Sequence, residues 1–280
     1  MLKNESYHKE LILVGGGHSH IEVLRRFRMR PEPGVRVTLI NPYPDAQYSG
    51  MLPGLIAGHY SEEDTNLDLF KLSQACGSRF VEDKVIGLDP DKKTVLCAKR
   101  GEISFDVLSI NIGSQSPTPK NSEIEHGLGV KPIQTFQNRL QDALKKIRIE
   151  GRPKRIAVVG AGAAGVEVIL ATKHRLEDSS NETHPLSHSY FLVSSGKSIL
   201  SEQSGKTRQV CEKELKKNQI TLVQDFLVSS FERNTASTKD GRSIAADIFL
   251  WATGAVGPAW LKSSDLGITE DGFIRVKANL

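Results

Sequence analysis

The sequence is poor in cysteine and contains no long apolar run, and each shortage excludes a class of protein. Its 280 residues include three cysteines, Cys76, Cys97 and Cys211, which lie far apart and form neither a C-x-x-C motif nor a metal-ligand spacing. We therefore expect unreactive thiols in a reducing compartment. Even the apolar stretch over residues 156–165 is short and interrupted by glycines, so no transmembrane segment is predicted.

Strong charge and a targeting signal are also lacking. The formal net charge is +4 and no dense Lys/Arg tract is present, so nucleic acid is not a predicted partner, and contact with a membrane surface is left open. The first ten residues are polar, without the apolar core of a signal peptide. No histidine cluster accompanies carboxylates at ligand spacing, and no metal site is predicted. We therefore expect a cytoplasmic protein of two domains.

What the chain does contain is two copies of one strand–turn–helix–strand pattern. Each copy has a short apolar strand, a glycine-rich turn, a helix with apolar residues on one face and a returning strand. The first copy has these elements at residues 11–14, 15–17, 21–27 and 35–40, and the second at 156–159, 160–165, 166–176 and 191–193. Each is a β-α-β unit of the length expected for half of a dinucleotide-binding fold.

The two copies also end alike. Asp106 opens a strand that runs to Gly113, and Asp247 opens one that runs to Gly254, each glycine seven positions after its aspartate. Gly15 and Gly113 are 98 positions apart, and Gly160 and Gly254 are 94. Matching beginnings and ends at nearly equal spans indicate an internal duplication.

The remaining segments complete the predicted architecture. Alternating runs at 79–88, 94–98 and 103–105 predict a three-stranded antiparallel meander over the first parallel sheet, and residues 136–149 predict an amphipathic helix with Leu140, Leu144 and Ile147 inward. Residues 115–119 are expected to be a linker and 177–189 a polar loop insertion. The fold class is α/β, with two Rossmann-like domains, each a parallel sheet with an antiparallel β-meander. The predicted bounds are 1–117 with 256–280, and 118–255.

Both turns suit a dinucleotide, because glycines let a pyrophosphate approach the backbone N–H groups at the positive end of a helix. Residues 160–165 carry the full G-x-G-x-x-G motif, whereas in the first turn His20 occupies the place of the third glycine. His18 and His20 are interpreted as packing beside, or hydrogen-bonding to, the pyrophosphate; the alternatives are metal ligands or a catalytic pair. Asn41 stands where an acidic residue usually binds the ribose.

The choice between NADH and NADPH stays open at this point. The second copy has Ser194, Ser195 and Lys197 at the end of its second strand, with neither an acid for the NAD ribose nor an arginine for the 2′-phosphate of NADP.

These motifs resemble the two-dinucleotide flavoprotein reductases of the pyridine nucleotide-disulfide oxidoreductase superfamily, which includes type II NADH dehydrogenases. The resemblance covers the whole chain: Gly15-Gly16-Gly17 is similar to the FAD turn, residues 160–165 with Glu167 to the NAD(P)H turn, and Ala252-Thr253-Gly254 to the closing motif. Asn111-Ile112-Gly113 holds the equivalent place in the first copy. Residues 48–60, YSGMLPGLIAGHY, resemble NADH dehydrogenase-like FAD modules fused to selenide, water dikinase.

The resemblance implies an activity without a thiol relay. Residues 48–60 lie where disulfide reductases carry their reactive cysteine pair, and they contain no cysteine. The implied role is a stiff loop that lines the isoalloxazine with Tyr48, Met51 and Leu52; the alternative is an ordinary loop. Hydride transfer depends on stacking and orientation, so no catalytic residue is named. Glu167 is interpreted as lying near the nicotinamide, or as a solvated helix carboxylate.

The predicted cofactor-binding residues combine these motifs and bind FAD or NAD(P)H. They are Gly15, Gly17, His18, Ser19, His20, Asn41, Met51, Leu52, Pro53, Val85, Gly113, Gly160, Gly162, Ala163, Ala164, Gly165, Glu167, Ser194 and Gly254.

The predicted function is a FAD-dependent NAD(P)H oxidoreductase that passes electrons to a quinone or another small-molecule acceptor. The alternatives are a non-catalytic nucleotide-binding or sensing module and a flavoprotein partner of a selenophosphate-synthesising enzyme. The resemblance also implies a further FAD-binding segment and a C-terminal domain after a strand at residues 272–276. Since the chain stops at Leu280, we expect that domain to be missing, or supplied by another chain. A homodimer and peripheral membrane contact are left open.

Overall fold

The computed structural model describes residues 7–117, 127–178 and 187–278. The chain divides into two compact units, the first made of residues 1–48, 66–114 and 256–280 and the second of 49–65 and 115–255. Residues 49–65, which the sequence prediction included in the first domain, therefore group with the second unit. The end of the predicted linker (118–119) and most of the predicted polar insertion (179–186) lie outside the described residues, as do residues 1–6.

The described ranges contain helices and strands in an alternating order. The helices are α1 (His18–Met29), α2 (Leu52–Ala57), α3 (Glu62–Thr65), α4 (Leu69–Ala75), α5 (Ile133–Glu150), α6 (Ala163–Glu177) and α7 (Gly205–Lys217), with 3₁₀ helices at Ser49–Met51 and Ala259–Ser263. The strands are β1 (Lys9–Val14), β2 (Val35–Asn41), β3 (Asp45–Gln47), β4 (Asn66–Asp68), β5 (Arg79–Glu82), β6 (Val85–Asp89), β7 (Thr94–Cys97), β8 (Gly101–Ser104), β9 (Val107–Ile110), β10 (Gly127–Gly129), β11 (Arg155–Val159), β12 (Ser189–Val193), β13 (Ile220–Val223), β14 (Val228–Glu232), β15 (Thr235–Thr238), β16 (Ser243–Ala245) and β17 (Ile248–Trp251).

The first unit is built on a parallel sheet of order β5-β2-β1-β9 that is covered on both faces. Because side chains alternate along a strand, Leu13 packs towards Leu24 of α1 and Leu69 of α4. Ile12 and Val14 pack on the other face against the antiparallel meander β6-β7-β8. A sheet buried on both faces needs apolar residues at every position, which explains the continuous run in β1.

The second unit repeats this plan with one more strand, in the order β10-β17-β11-β12-β13. Ile156 and Val158 of β11 pack towards α2, α5 and α6, and Val159 packs towards the meander β14-β15-β16. On α5, the side chains of Leu140, Leu144 and Ile147 are buried, as the periodicity predicted.

The predicted repeat of one fold is seen in the order of the strands and in one repeated contact. The carboxylate of Asp106 accepts the backbone N–H of Glu10 at 2.7 Å, and that of Asp247 accepts the N–H of Arg155 at 2.8 Å. Each aspartate thus joins the start of the closing strand to the start of the first strand of its sheet.

Two predicted strands are wrong in their extent. Residues 79–88 form two strands rather than one, since β5 joins the parallel sheet and β6 begins the meander. The break is stabilised by Asp83, which is 2% exposed and whose carboxylate accepts the N–H groups of Lys84, Lys99 and Arg100 at 2.7, 3.1 and 2.9 Å. The strand expected at 272–276 is reduced to an isolated bridge between Ile268 and Ile274.

No helix within the described ranges is both long enough and apolar enough to cross a bilayer.

Replacing Asp83 tests the break between the parallel sheet and the meander. The change Asp83→Ala leaves three N–H groups without their acceptor, and we expect it to lower the free energy of unfolding by roughly 2–4 kcal/mol. Urea unfolding followed by circular dichroism measures this. The matched control is Asp91→Ala in the exposed turn of the same meander, and an equal loss in both variants would contradict the assignment.

Candidate dinucleotide-binding sites

The first glycine turn is shaped by the closing segment of its own sheet. Gly15 has φ +93°, and its N–H donates to the carbonyl of Ile40 at 2.8 Å. A Cβ at Gly15 would overlap the backbone carbonyl of Asn111, and one at Gly17 would overlap the Asn111 side-chain oxygen. Gly15 therefore requires glycine, because it has a positive φ and meets the backbone of residue 111, whereas a side chain at Gly17 would displace the Asn111 amide.

Asn41, predicted to bind the ribose, holds the same turn from its other side. Its side-chain oxygen accepts the N–H of Gly16 at 2.9 Å, and its side-chain nitrogen donates to the carbonyl of Tyr43 at 2.8 Å. The amide keeps one further N–H and one further acceptor position, so contact with a ribose stays a prediction.

The second turn repeats the arrangement of the first. Gly160 has φ +110°, its N–H donates to Val193 at 2.9 Å, and a Cβ there would overlap the carbonyl of Ala252 in the closing motif. A Cβ at Gly165 would overlap the carbonyl of Gly160. The third glycine of the motif is therefore required by close packing of α6 on the turn.

A helix begins directly after each turn, α1 after Gly17 and α6 after Gly162. Within the described residues, no side chain caps α1 at Gly17 or α6 at Gly162. The first N–H groups of a helix have no acceptor inside the helix, and the helix dipole makes that end favourable for an anion. A Cβ at Gly162 would meet no atom within 4 Å, so the backbone there is open to a ligand. The arrangement fits a pyrophosphate at each turn.

The residues that follow each turn lie at these two helix ends. His18 and Ser19 are exposed in the first turn of α1, as are Ala163 and Ala164 in that of α6. The ring of His18 makes an edge contact with Tyr48, with 5.1 Å between centroids.

His20 differs from the expectation that its ring packs beside or bonds to the pyrophosphate. The side chain is 1% exposed, with Nδ1 2.6 Å from the carbonyl oxygen of Gly15 and Nε2 2.9 Å from the hydroxyl of Ser109. Both ring nitrogens thus have partners inside the protein, and the buried ring is not free to bond to a pyrophosphate. His20 stands at the motif position that Gly165 holds in the second turn. Gly165 packs closely against the carbonyl of Gly160, whereas the ring of His20 forms a hydrogen bond with the corresponding carbonyl, that of Gly15.

The partners of His20 also determine which ring nitrogen carries the hydrogen. A carbonyl only accepts, so Nδ1 carries the hydrogen and Nε2 of the neutral ring accepts from Ser109. Burial lowers the pKa of His20 below its ordinary value, and the hydrogen bond to the Gly15 carbonyl opposes that effect in part. The folded protein therefore favours the neutral ring.

Residues 48–60 contain a 3₁₀ turn (Ser49–Met51) and the helix α2 (Leu52–Ala57) where a loop was expected. After the 3₁₀ turn, α2 ends at Gly58 in the left-handed conformation, and its apolar face packs on α6. Leu52 is 6% exposed within the core of the second unit, so its side chain packs against protein rather than lining an open pocket. Met51 and Pro53 are partly exposed, and their contact with a flavin stays a prediction. Gly54 leaves room for the ring of Tyr60.

The other predicted residues differ in their surroundings. Val85, the first residue of β6 in the first meander, is buried, and Glu167 is exposed on α6. The buried Ser194 hydroxyl donates to the carbonyl of Ser198 at 3.1 Å and shapes the loop after β12. Gly113, with φ +73°, and the exposed Gly254 end the two closing segments.

Three residues that support the first turn were absent from the predicted site, although Asn111 was noted as part of the closing segment. Asn111 contacts Gly15 and Gly17, Ser109 bonds to His20, and Leu69 lies against Gly16. Ser109 and Asn111 are marked in the sequence as polar residues inside or just after an apolar strand, whereas Leu69 has no such signal. In the ranges that the structure describes, no group of three or more His, Cys, Asp or Glu side chains could hold a metal ion.

Two Rossmann-type units with uncapped glycine turns place the chain in the class of two-dinucleotide folds. The model of the pyridine nucleotide-disulphide oxidoreductase family matches residues 9–280. The chain belongs to this family.

Several characterised proteins are similar to the chain. The NADH dehydrogenase-like protein YutJ of Bacillus subtilis is 24% identical over 88% of this chain and 65% of its own length. The type II NADH:quinone oxidoreductase of Haemophilus influenzae is 23% identical over 88% and 64%. NDH2 from Plasmodium falciparum, solved in complex with NADH, has the same fold, with a TM-score of 0.77, 16% identity and coverage of 91% and 57%. The chain therefore spans less than two thirds of these proteins.

The buried neutral His20 predicts a pH dependence of stability. A pKa lowered by folding means that the unfolded chain takes up the proton first, so this contribution is complete above the ordinary value of 6.5 and is lost as the pH falls below it. We expect the wild type to lose up to about 1.4 kcal/mol per pH unit below that value. His20→Asn retains a donor for Gly15 but does not titrate, so its curve should be flatter. Urea unfolding from neutral to mildly acidic pH measures this, and parallel curves would contradict it.

Proposed function

We propose that this chain binds FAD at the turn Gly15-Gly16-Gly17 and NAD(P)H at residues 160–165, and that it is an oxidoreductase in which hydride passes from NAD(P)H to FAD. The observation that carries the proposal is the repetition of one anion-binding geometry, an uncapped helix N-terminus behind a glycine turn, in two units of the chain. Membership of the pyridine nucleotide-disulphide oxidoreductase family supports it. The first unit would be the FAD domain and the second the NAD(P)H domain.

The residues of each turn have distinct tasks in this proposal. The N–H groups at the start of α1 and α6 would hold the two pyrophosphates, and Gly162 would let the NAD(P)H pyrophosphate approach the backbone. FAD supplies the isoalloxazine ring that accepts the hydride. Asn41 and His20 keep the first turn in shape through Gly16 and Gly15. No side chain of this chain is assigned a proton-transfer step.

The chemistry of the cysteines supports transfer without a disulfide relay. All three are free, and Cys97 is buried, where desolvation raises its pKa to about 11. Burial also raises the pKa of Cys76. A thiolate is the reactive form, so both are poorly suited to exchange.

The acceptor we propose is a quinone or another small molecule. Two similar proteins support it, the type II NADH:quinone oxidoreductase of Haemophilus influenzae and a demethylphylloquinone reductase of Synechocystis. The chain spans half to two thirds of the length of these proteins, and a C-terminal partner domain or a homodimer that contributes to the acceptor site stays a prediction. A cytoplasmic location with peripheral membrane contact stays a prediction. So does the likeness of residues 48–60 to FAD modules that are fused to selenide, water dikinase.

A second candidate is nucleotide binding without turnover. It is favoured by Asn41, whose amide already bonds to two backbone groups and offers no charge to a ribose.

Flavin absorption separates the two candidates. For the oxidoreductase we expect the purified protein to be yellow, or to become so with added FAD, and to bleach in anaerobic solution on adding NADH or NADPH. Titration with each nucleotide in turn identifies the donor. Bound flavin that neither nucleotide reduces would favour the second candidate. Protein that takes up no flavin would overturn the FAD assignment.

A pair of alanine variants tests the NAD(P)H turn. Gly162→Ala adds a methyl group where the structure has open space, so we expect normal stability and flavin content but roughly tenfold weaker NAD(P)H binding. In Gly165→Ala the methyl overlaps the Gly160 carbonyl, and a loss of about 1–3 kcal/mol in unfolding free energy is expected. Stopped-flow flavin reduction and urea unfolding measure the two effects. Unchanged reduction kinetics in Gly162→Ala would argue against the assigned site.

A further inference from the structure

Two histidines far apart in the sequence meet on the surface of the second unit. His59 follows α2 and His174 lies in the last turn of α6. Their Nε2 atoms are 3.2 Å apart and their ring centroids 5.0 Å apart, with the planes inclined at 62°. Both Nε2 atoms therefore point at one place, although an imidazole donates or accepts there according to its proton.

The distance between the nitrogens matches a shared metal ion. Histidine nitrogens bind zinc at about 2.0–2.1 Å, so two of them at tetrahedral positions lie about 3.3 Å apart. If both rings are neutral and carry their hydrogen on Nδ1, each Nε2 has a lone pair that can bind the ion. The two Nε2–metal bonds then replace the single N–H···N hydrogen bond between the rings. The rings need no large movement to become ligands.

Packed elements hold both histidines in place. The N–H of His59 donates to the carbonyl of Gly54 at 2.8 Å, and Gly58 donates to Leu55 at 3.2 Å, which closes the end of α2. The buried faces of α2 and α6 belong to one hydrophobic core. A site built on packed helices is preorganised, so little ordering is required when the ion binds.

We infer that His59 and His174 form a two-histidine site for a divalent transition-metal ion such as Zn²⁺, with water in the remaining positions. The surroundings suit such a site, since His59 is exposed and no third protein ligand among the described residues completes the group. The guanidinium of Arg175 lies against Gly58 and places a positive charge nearby. The expected affinity is consequently that of an exchangeable, rather than a permanently occupied, site. The ion would link the end of α2 to α6.

Zinc titration of the protein without a histidine tag tests the inference. We expect isothermal calorimetry with ZnCl₂ to give one ion per chain for the wild type and for the control His8→Gln. His59→Gln and His174→Gln should each weaken binding by at least about tenfold. Circular dichroism verifies that the variants are folded.

A spectroscopic measurement identifies the ligand atoms independently of the variants. In ¹H–¹⁵N spectra of the imidazole nitrogens, Zn²⁺ should shift Nε2 of His59 and His174 together at the same molar ratio. Zinc that leaves both nitrogens unshifted, no binding by the wild type, or glutamine variants that bind zinc as tightly as the wild type would overturn the site.

Discussion

The structure depends on the contact between each opening glycine and the segment that closes its sheet. Gly15 lies against Asn111 and Gly160 against Ala252 so closely that neither glycine can carry a side chain. In each unit this contact joins the first strand, the helix that begins at the turn and the last strand. The free helix N-terminus therefore points to one place on the sheet edge, and the proposed anion-binding geometry follows from backbone packing rather than from any particular side chain.

The comparison of the two turns shows how one geometry accepts different residues. At the third motif position, Gly165 admits the carbonyl of Gly160 by having no side chain. His20 meets the equivalent carbonyl of Gly15 with a donor and takes a second bond from Ser109. His20 therefore adds a titratable group beneath the first turn, and the second turn has no such group at Gly165. Departure from a motif can thus retain the shape while making it sensitive to protons.

The fold could be predicted because both sheets are buried on two faces and their apolar strands lead directly into glycine turns. Prediction was wrong where a tertiary contact decides the structure. Asp83 divides a run that the sequence analysis predicted to be one strand, and α2 forms at residues 52–57 because its apolar face is covered by the rest of the second unit. His20 was assigned to the ligand by proximity in sequence, but burial turned its ring inward. The pairing of His59 with His174 joins positions 115 residues apart and had no local signal.

Residues 49–65 leave the first unit and join the second before the first is complete. The chain therefore passes from one unit to the other several times, and cleavage at a single residue cannot separate the two units. A gene divided at residue 114 would encode a first half whose α2 presents Leu52 and Ile56 to water, and a second half with a gap in its core. The two units thus share one strand order, although each depends on a chain segment that lies on the other side of such a cut.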